Sequence, residues 1–398
     1  VISLAQLKAE KIGRFEVIHL PDSGNITYMD SYDSKHFIGI GNTNDTIYYY
    51  RSSDEGLTWE LFDTDIRIED EHGKILYKPA VPYDVEFVNE NNCILAMDSA
   101  RIRITRDFGE SWEEKVLLLG NQVAPYIVKD IYMIDSSSGY ALMRTYSKVK
   151  IHEGYNHLSE ILYTDDGWDT WEIVDTPNDT LNKQNLMIKP DGTIGYYGPN
   201  PEDMEPGISL QFNEKGSDDW IINSAHKFCN TYAFDSSGNL WGSAGYVADY
   251  DSSSGSYTFH QMIIKSSNYG RKWDTVFTDF ERLGSYHDII TIPSSRYIYL
   301  VGRRFYISTD GGKSWNSYFE DPKRFYKYNR SFLSDLTPLT KKILLLSYDC
   351  NYLFRYDNSI TKVNRKKIFK HRVHPNPAND FINISIPTNK IALLYDIN

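Results

Sequence analysis

Four aspartates in this chain are each followed directly by an aliphatic residue, near the start of a strand-like run. The four pairs are Asp84-Val85, Asp130-Ile131, Asp288-Ile289 and Asp335-Leu336. If these runs are equivalent strands of one fold, their carboxylates should lie at a common level. Converging carboxylates can bind a cation, hold sugar hydroxyls, or act as an acid and base pair in glycoside hydrolysis.

A simpler interpretation of the same aspartates stands beside this one. In a repetitive fold each carboxylate would bond its own or a neighbouring backbone group, because buried N–H groups need partners. The candidate ligand-binding set also includes three residues of a loop before Asp288, namely Arg282, Tyr286 and His287. His287 is equally compatible with a packed or surface histidine. No short signature assigns a catalytic residue.

An eight-residue pattern, Ser/Thr-x-Asp-x-Gly-x-Ser/Thr-Trp, provides the frame that would position these strands. Its intact, altered and eroded copies span Ser52–Trp59, Thr105–Trp112, Thr164–Trp171, Asn213–Trp220, Ser266–Trp273 and Ser308–Trp315. The glycine accepts the positive φ of a tight hairpin turn, and the Asp and Ser/Thr side chains bond the turn's own backbone. The Trp then enters the next strand with a large apolar ring.

These octapeptides resemble the Asp-box, or BNR, repeats of sialidases and many other β-propeller proteins. In that family each box closes the turn between the third and fourth strands of a blade, on the side away from the ligand-binding mouth. The resemblance implies structural and not catalytic roles for the matching residues. They are Asp54, Gly56, Trp59, Asp107, Gly109, Trp112, Asp166, Trp171, Gly270, Trp273, Asp310, Gly312 and Trp315.

The spacing of the octapeptides predicts how many blades the chain forms. A period of about fifty residues is what one four-stranded blade needs. A second strand–turn–strand pattern recurs at 26–41, 84–97, 130–143, 186–198, 231–242, 288–302 and 335–347. Each copy is typical of the first hairpin of a blade, and the last is followed by a strand without an octapeptide.

The sequence therefore predicts an all-β fold, a seven-bladed β-propeller of four-stranded antiparallel blades over residues 1–370. The alternative is six blades with one extra hairpin. Segment Phe15–Leu20 is expected to pair into the last blade, which would remove an exposed sheet edge. Long connectors at 65–83, 279–287 and 321–334 would surround the mouth of the channel, where loops on a rigid scaffold usually carry the binding groups.

Composition excludes several classes of partner. The net charge is −12 and no long Lys/Arg run occurs, which argues against nucleic acid. No apolar run approaches the ~20 residues of a membrane span.

The cysteines Cys93, Cys229 and Cys350 lack metal-ligand spacing. We expect all three to be small buried hydrophobic residues, and one disulfide would be compatible with the sequence. No cofactor or metal is predicted, although a structural calcium ion would be compatible with the fold.

The last segment, 371–398, differs in character from the rest. It contains Pro375-Asn376-Pro377-Ala378 before a strand-like run, and later Tyr395-Asp396-Ile397. Both motifs resemble the C-terminal sorting domain of proteins exported by the type IX (Por) secretion system of Gram-negative bacteria, although the glycine of the second motif would follow Asn398. The resemblance implies secretion or an outer cell-surface location, with the secretion machinery as a partner. The alternative is a Pro-rich cap over the last blade.

Three functions are compatible with this sequence. The first is a secreted or cell-surface binding or adhesion propeller that takes a glycan or protein at the channel mouth. The second is a glycoside hydrolase that uses mouth carboxylates; sialidase activity itself is disfavoured, because no Arg-x-Pro motif precedes the first octapeptide. The third is an assembly factor that binds protein, as some Asp-box propellers do. We expect binding rather than catalysis.

Overall fold

Every regular element that the structure describes is a β-strand. The computed structural model describes residues 10–12, 15–21, 25–33, 35–42, 46–66, 68–69, 75–77, 80–117, 126–145, 149–151, 154–156, 158–177, 183–199, 208–215, 217–224, 229–251, 256–279, 289–294, 297–301, 305–318, 333–338, 343–348, 352–357, 374–375 and 382–383. The chain forms two compact units, Val1–Ser359 and Ile360–Asn398. The boundary predicted after residue 370 falls inside the second unit.

The first half of the chain forms three sheets and two small hairpins. The strands that join the last sheet are β1 (Glu10–Ile12) and β2 (Phe15–His19). Sheet 1 contains β3 (Tyr28–Ser31), β4 (Phe37–Asn42), β5 (Thr46–Ser52) and β6 (Glu60–Ile66). A hairpin follows, of β7 (Ile68–Glu69) and β8 (Ile75–Tyr77). Sheet 2 contains β9 (Pro82–Phe87), β10 (Cys93–Met97), β11 (Arg101–Thr105) and β12 (Glu113–Val116). Sheet 3 and its inserted hairpin contain β13 (Tyr126–Met133), β14 (Gly139–Thr145), β15 (Val149–Ile151), β16 (Gly154–Asn156), β17 (Ser159–Thr164) and β18 (Glu172–Ile173).

The second half of the chain forms four further sheets and a small separate one. Sheet 4 contains β19 (Gln184–Ile188), β20 (Ile194–Pro199), β21 (Ile208–Asn213) and β22 (Trp220–Ser224). Sheet 5 contains β23 (Cys229–Phe234), β24 (Leu240–Asp251), β25 (Ser256–Ser266) and β26 (Asp274–Asp279). Sheet 6 contains β27 (Ile289–Ser294), β28 (Tyr297–Val301), β29 (Phe305–Ser308) and β30 (Asn316–Tyr318). Sheet 7 adds β31 (Leu333–Pro338), β32 (Ile343–Tyr348) and β33 (Tyr352–Asp357) to β1 and β2, and the second unit contains β34 (His374–Pro375) and β35 (Ile382–Asn383).

Sheets 1 to 6 each consist of four antiparallel strands in sequence order, with the first and second strands forming the predicted hairpins. The first strands of successive sheets contact one another in the order β3, β9, β13, β19, β23, β27 and β31, and β31 contacts β3. These contacts arrange the described sheets as a closed ring with the first strands innermost. The seven-blade count itself stays a prediction, since parts of the chain lie outside the described residues.

Among the described residues, apolar clusters fill the spaces between consecutive sheets from sheet 1 to sheet 6 and between sheets 7 and 1. Tyr49 of sheet 1 packs with Leu95 of sheet 2 in one cluster. Ile104 of sheet 2 shares the next cluster with Trp168 of sheet 3. Alternate side chains of each strand face opposite neighbours, so every sheet contributes to two cores. Burial of each such side chain stabilises the fold by about 1.5–3 kcal/mol.

The ring closes as predicted, by an N-terminal strand joining the last sheet. Strand β2 pairs antiparallel with β33, with Val17 opposite Phe354. Arg355 of β33 is almost fully buried, and its guanidinium donates to the Glu55 carboxylate of sheet 1 at 2.9 Å. The β2–β33 pairing joins the two ends of the first unit, and the Arg355–Glu55 ion pair joins sheet 7 to sheet 1.

The octapeptides form the turns between third and fourth strands, as predicted for all six copies. In the first copy Glu55 and Gly56 both have positive φ, 66° and 72°. The Leu57 N–H donates to the Asp54 carbonyl at 3.3 Å across these two residues, and positive φ at both central positions is the pattern of a type I′ turn. The Gly56 N–H donates to the Ser52 hydroxyl at 3.2 Å, which explains the conserved spacing between these two positions of the repeat.

The octapeptide aspartates stabilise these turns. The Asp310 carboxylate accepts hydrogen bonds from the Ser314 hydroxyl at 2.6 Å and its backbone N–H at 2.9 Å, and from the Ser308 hydroxyl at 2.9 Å. These bonds favour the ionised form, with the Ser314 hydroxyl as the largest cause, and lower the pKa of Asp310 to about 2. The same contacts recur at Asp54, Asp107 and Asp166.

One altered octapeptide replaces the glycine by a large aromatic residue. Trp168 adopts a φ of 72°, a conformation that costs a non-glycine residue about 1–2 kcal/mol. Its indole is fully buried, and the indole N–H points at the Met133 sulfur, 3.2 Å away. Burial of a ring of this size contributes roughly a few kcal/mol, which offsets the backbone strain.

A pair of glycine substitutions tests this account of the turns. Gly312 has a φ of +85°, and an added Cβ would lie 2.8 Å from the Trp241 ring, whereas at Gly167, with a φ of +74°, the nearest atom would be 3.6 Å away. Gly167→Ala should therefore cost only the backbone strain, about 1–2 kcal/mol. Gly312→Ala should cost about 1–3 kcal/mol more, because the core between sheets 5 and 6 becomes overpacked.

Urea unfolding of both variants measures the two costs. Equal losses of unfolding free energy would contradict the close approach of Gly312 to Trp241.

Candidate functional site

Two of the predicted aspartates accept hydrogen bonds from the next sheet of the ring. Asp84 lies on β9, and its carboxylate accepts the N–H of Val85 at 2.9 Å and that of Ile131 on β13 at 2.9 Å. Asp130 lies on β13 and accepts the N–H of Leu186 on β19 at 3.3 Å. Both carboxylates therefore link neighbouring innermost strands, as the simpler interpretation of the sequence predicts.

The other predicted ligand-binding residues cannot be placed in this way. Arg282, Tyr286, His287 and Asp288 lie outside the described residues. Asp335 pairs with Ser347 in sheet 7, but its side chain lies outside the described part of the structure. Ligand binding by this set stays a prediction.

Two further carboxylates make the same kind of link and were not predicted. Asp30 on β3 accepts the N–H of Phe87 on β9 at 2.8 Å, and Glu86 accepts the N–H of Met133 on β13 at 3.3 Å. Glu86 lies two residues after Asp84, so both side chains leave β9 on the same face. That alternation was a usable signal, whereas Asp30 is followed by Ser31 and lacks the aspartate–aliphatic pattern.

An unpaired strand edge explains why carboxylates occur at these positions. Each innermost strand bonds the second strand of its own sheet on one side only, so alternate N–H groups face the centre of the ring. A carboxylate accepts such a donor in a charge-assisted bond, which is stronger than a neutral one. We call the four side chains that accept these N–H groups the carboxylate arc; they are Asp30, Asp84, Glu86 and Asp130.

Crowding of like charges gives the carboxylate arc an unusual electrostatic character. Burial is the largest cause that raises the pKa of Glu86 well above its ordinary value, followed by the charges of Asp30 and Asp84. Burial and the same three carboxylates also raise the pKa of the Cys93 thiol, a buried free cysteine. Tyr132 is partly exposed, and its partial burial together with the nearby Glu86 raises the pKa of its phenol.

The described residues do not form a metal centre. No group of three or more His, Cys, Asp or Glu side chains in the described part of the chain is arranged to hold a metal ion. The arc carboxylates instead contact backbone N–H groups, which are donors.

The two ends of each sheet differ in construction. The turns between first and second strands lie beside the octapeptides, as where the Phe108 N–H donates to the Asn91 carbonyl at 2.8 Å. We call this the octapeptide end. The opposite end carries the loops between second and third strands and the segments that lead to the next sheet, and we call it the connector end. In the described part of the chain three hairpins extend the connector end: β7–β8, β15–β16 and the long tips of β24 and β25.

The β7–β8 hairpin lies within the first of the predicted mouth connectors, 65–83. Residues 280–287 and 321–332 of the other two lie outside the described residues. The sequence did not predict that the second-to-third strand loops of sheets 3 and 5 would form hairpins at the same end.

Comparison with known proteins defines the fold. No protein-family model and no curated protein sequence matches the chain. A solved structure of YCF48 bound to D1 peptide is 18% identical, with 88% of this chain and 98% of that chain covered and a TM-score of 0.59. YCF48 from Cyanidioschyzon merolae is 14% identical, covers 87% and 99%, and has a TM-score of 0.54. The Dos1 propeller is 9% identical, covers 85% and 94%, and has a TM-score of 0.52.

The fold is a β-propeller. The sheets of the ring are its blades, and the carboxylate arc lies on the innermost strands of blades 1 to 3. At these low identities the solved structures establish the fold alone. Within the described residues, no helix has the length and apolar character needed to cross a bilayer.

Substitutions at Asp84 separate a structural role from ligand binding. Asp84→Ala leaves the N–H groups of Val85 and Ile131 without their acceptor and should cost about 1–3 kcal/mol of unfolding free energy. Asp84→Asn keeps one acceptor oxygen and should cost less. Asp63→Ala, at an exposed aspartate of β6, is the control and should change stability little.

Urea unfolding provides the measurement. Unchanged stability in Asp84→Ala, combined with weaker ligand binding, would show that Asp84 serves a ligand and not the scaffold.

Glu86 makes the stability of the propeller depend on pH. Because its pKa is raised in the folded protein, its favourable contribution is complete below the unfolded pKa, about 4.3, and is lost as the pH rises through the folded pKa. Glu86→Gln removes the charge and keeps an acceptor for the Met133 N–H. The variant should therefore be more stable than the wild type at pH 8, and this advantage should vanish near pH 4.

Unfolding free energies measured across that range test the sign. Glu90→Gln, at an exposed glutamate in the adjacent turn, is the control. A Glu86→Gln variant that is less stable than the wild type at pH 8 would contradict the assigned direction.

Proposed function

We propose that this chain is a binding propeller, secreted or on the cell surface, whose connector end takes a protein partner. The observation that carries the proposal is the asymmetry between the two ends of the ring. All three hairpin extensions among the described residues lie at the connector end. Loops and hairpins on a rigid scaffold are where binding groups usually sit.

The octapeptide end is built for stability instead. Its turns are tight, and their polar side chains bond their own backbone, as Asp54 does with Thr58 and Ser52. Side chains engaged in this way have few hydrogen-bonding groups left for a partner. The difference between the ends supports a partner that approaches from the connector side.

A peptide segment is the class of partner that we favour over a glycan. The solved structure of YCF48, a propeller of similar fold, contains a bound D1 peptide, so this fold can present a peptide-binding surface. The hairpins of the connector end add backbone donors and acceptors, which suit an extended chain. A glycan remains the other ligand class in the proposal.

Hydrolysis of glycosides has no support from the described residues. Asp84 and Asp130, two of the four carboxylates suggested by the sequence, bond the backbone of the next blade. An acid and base pair must be free to contact the glycosidic oxygen and water. We therefore propose a function without catalysis.

The second unit supports the extracellular part of the proposal through its sequence. Strands β34 and β35 pair with Pro375 opposite Ile382, and the Asn376-Pro377-Ala378 motif lies between them in sequence. The motif resemblance suggests that this unit directs export. Expression of the full chain, with and without residues 360–398, in a Gram-negative host that has type IX secretion would show whether the unit is required for surface or medium localisation.

A peptide selection tests the binding function. We expect the full-length chain to select peptides from a random phage-displayed 12-residue library, with binding in the micromolar range typical of peptide recognition. Hydrogen exchange of the complex should show protection at connector-end segments, such as β15–β16, and no change at the octapeptide turns. Glu90→Ala at the octapeptide end is the matched control and should leave the affinity unchanged.

Two results would overturn this proposal. One is that the chain selects no peptide and also binds a glycan array no more strongly than serum albumin does. The other is turnover of chromogenic glycosides that is lost on substitution of a carboxylate at the channel mouth.

A further inference from the structure

Blade 3 carries a row of tyrosines across three neighbouring strands near the octapeptide end. Tyr132 on β13 lies opposite Tyr140 on β14, and Tyr140 lies opposite Tyr163 on β17. Residues directly opposite one another in antiparallel strands have their side chains on the same face of the sheet. The row ends at Glu172 on the outermost strand β18, which lies opposite Tyr163. We call Tyr132, Tyr140 and Tyr163 the tyrosine row.

The tyrosine row lies on the face of blade 3 that packs against blade 4. Tyr140 packs on a cluster that contains Leu142 of blade 3 and Tyr196 of blade 4. The ring centroids of Tyr140 and Tyr163 are 5.0 Å apart. Both of these residues are only half-buried, and Tyr132 is 39% exposed. The row is therefore anchored at its base by the core and accessible along its outer side.

The matching rows of two other blades are covered by an aromatic residue from the next octapeptide. In blade 2 the matching residues are Ile94 and Ile104, which lie opposite each other and are 2% and 5% exposed. Trp168, the fifth residue of the blade 3 octapeptide, packs with both of them. Tyr269, the fourth residue of the blade 5 octapeptide, lies against Phe212 of blade 4 with ring centroids 5.2 Å apart.

The octapeptide of blade 4 has no aromatic residue at either of these positions. It is the eroded copy, Asn213–Trp220, and its fourth and fifth residues are Gly216 and Ser217. This difference in sequence explains why the tyrosine row stays partly exposed while the isoleucines of blade 2 are buried. Adjacent exposed aromatic residues form a patch of the kind that marks an interaction site, which isolated exposed residues do not.

The dimensions of the tyrosine row match a proline-rich chain. Neighbouring strands are about 4.8 Å apart, so three residues on three successive strands span about 9.6 Å. A polyproline II helix advances about 9.3 Å in each turn of three residues, so its side chains repeat at the length of the row. Its carbonyl groups make no internal hydrogen bonds and can accept them from tyrosine hydroxyls. Aromatic-lined surfaces are what such segments bind in several protein families.

The carboxylate at the end of the row indicates a cationic residue in the partner. Glu172 is exposed, and it follows the three tyrosines on the next strand. Burial is the largest cause that raises the pKa of Tyr140, followed by Tyr163 and then by the charge of Glu172. The phenol of Tyr140 is therefore a protonated donor at neutral pH. The Glu172 carboxylate is close enough to serve the same ligand as the rings.

We propose that the tyrosine row binds a proline-rich segment of a partner protein in the polyproline II conformation, with a Lys or Arg of the segment paired with Glu172. The row lies at the opposite end of the ring from the connector end, so this inference adds a second binding surface and does not rest on the proposed function. The prolines pack on the tyrosine rings, and the segment loses little conformational entropy because its helix is already formed.

The probes are two fluorescein-labelled peptides, six prolines followed by one arginine and the reverse sequence. We expect one of them to bind the full-length chain, as measured by fluorescence anisotropy. Tyr132→Ala should weaken binding about tenfold, the loss expected for one aromatic contact. Glu172→Gln should weaken it less and should reduce its dependence on salt. Tyr32→Ala is the matched control, at an exposed tyrosine of blade 1 at the same end, and should keep the affinity.

A second measurement needs no variant of the protein. The binding peptide is synthesised with a benzophenone at its uncharged end and irradiated in complex with the wild-type chain. Because Glu172 holds the arginine at one end of the row, mass spectrometry should locate the crosslink at the other end, at Tyr132 or at the exposed Ile134. Replacing the arginine of the peptide by norleucine should weaken binding to the wild type and leave binding to Glu172→Gln unchanged.

Four results would overturn this inference. The first is that neither peptide binds at millimolar concentration, and the second is that Tyr132→Ala keeps the wild-type affinity or the crosslinks lie on other blades. The third is that a glycan binds with the same dependence on Tyr132 while the proline peptides do not. The fourth is that the chain sediments as a dimer and Tyr132→Ala as a monomer, which would assign the row to a second copy. None of these results bears on a partner at the connector end.

Discussion

The N–H groups on the inner edge of the ring are the constraint on which the rest of the structure depends. Closing sheets into a ring protects their faces but leaves each innermost strand with a free edge towards the axis. On blades 1 to 3 the carboxylates of Asp30, Asp84, Glu86 and Asp130 accept the donors of the next blade. Because each contact joins two blades, it orders them around the axis while the apolar clusters hold their faces together. The cost is the burial of acidic side chains, followed by their mutual repulsion, and both raise the pKa of Glu86.

The octapeptide turns at the periphery are subject to a different constraint: the chain must reverse direction sharply while its side chains stay closely packed. Glycine meets the backbone requirement at Gly312, where Trp241 leaves no room for a side chain. Trp168 meets it differently, since its burial compensates for an unfavourable φ. The turn thus requires a particular backbone conformation and close packing, and more than one combination of residues provides both. This explains why some octapeptide copies diverge in sequence but still lie between the third and fourth strands.

Sequence reasoning predicted the parts of this fold that depend on local chemistry. The octapeptide turns, the first hairpins and the closing strand follow from positive φ, alternating apolar residues and edge protection within short windows. The partners of Asp84 and Asp130 could not be predicted, because Ile131 and Leu186 are distant in sequence and only the ring brings them near. Glu86 could have been found, because it lies two residues after Asp84 and so leaves β9 on the same face, but its partner Met133 could not. The length of β24 and β25 was missed because their residues continue the alternating pattern of an ordinary blade strand.

The pairing of β2 with β33 has a consequence for how the molecule comes into being. The last blade is assembled from strands synthesised at opposite ends of the first unit, and its Arg355 also contacts Glu55 of blade 1, 300 residues away in the chain. Until β33 has been made, the nascent chain is an open arc whose terminal blades expose apolar faces. Closure of the ring therefore requires pairing between strands that are far apart in sequence. Such pairing is slow, and until it occurs different chains can assemble wrongly with one another. Once β2 has paired with β33, neither terminal blade can detach without breaking a sheet, so the ring should resist unfolding that starts at either end of the first unit.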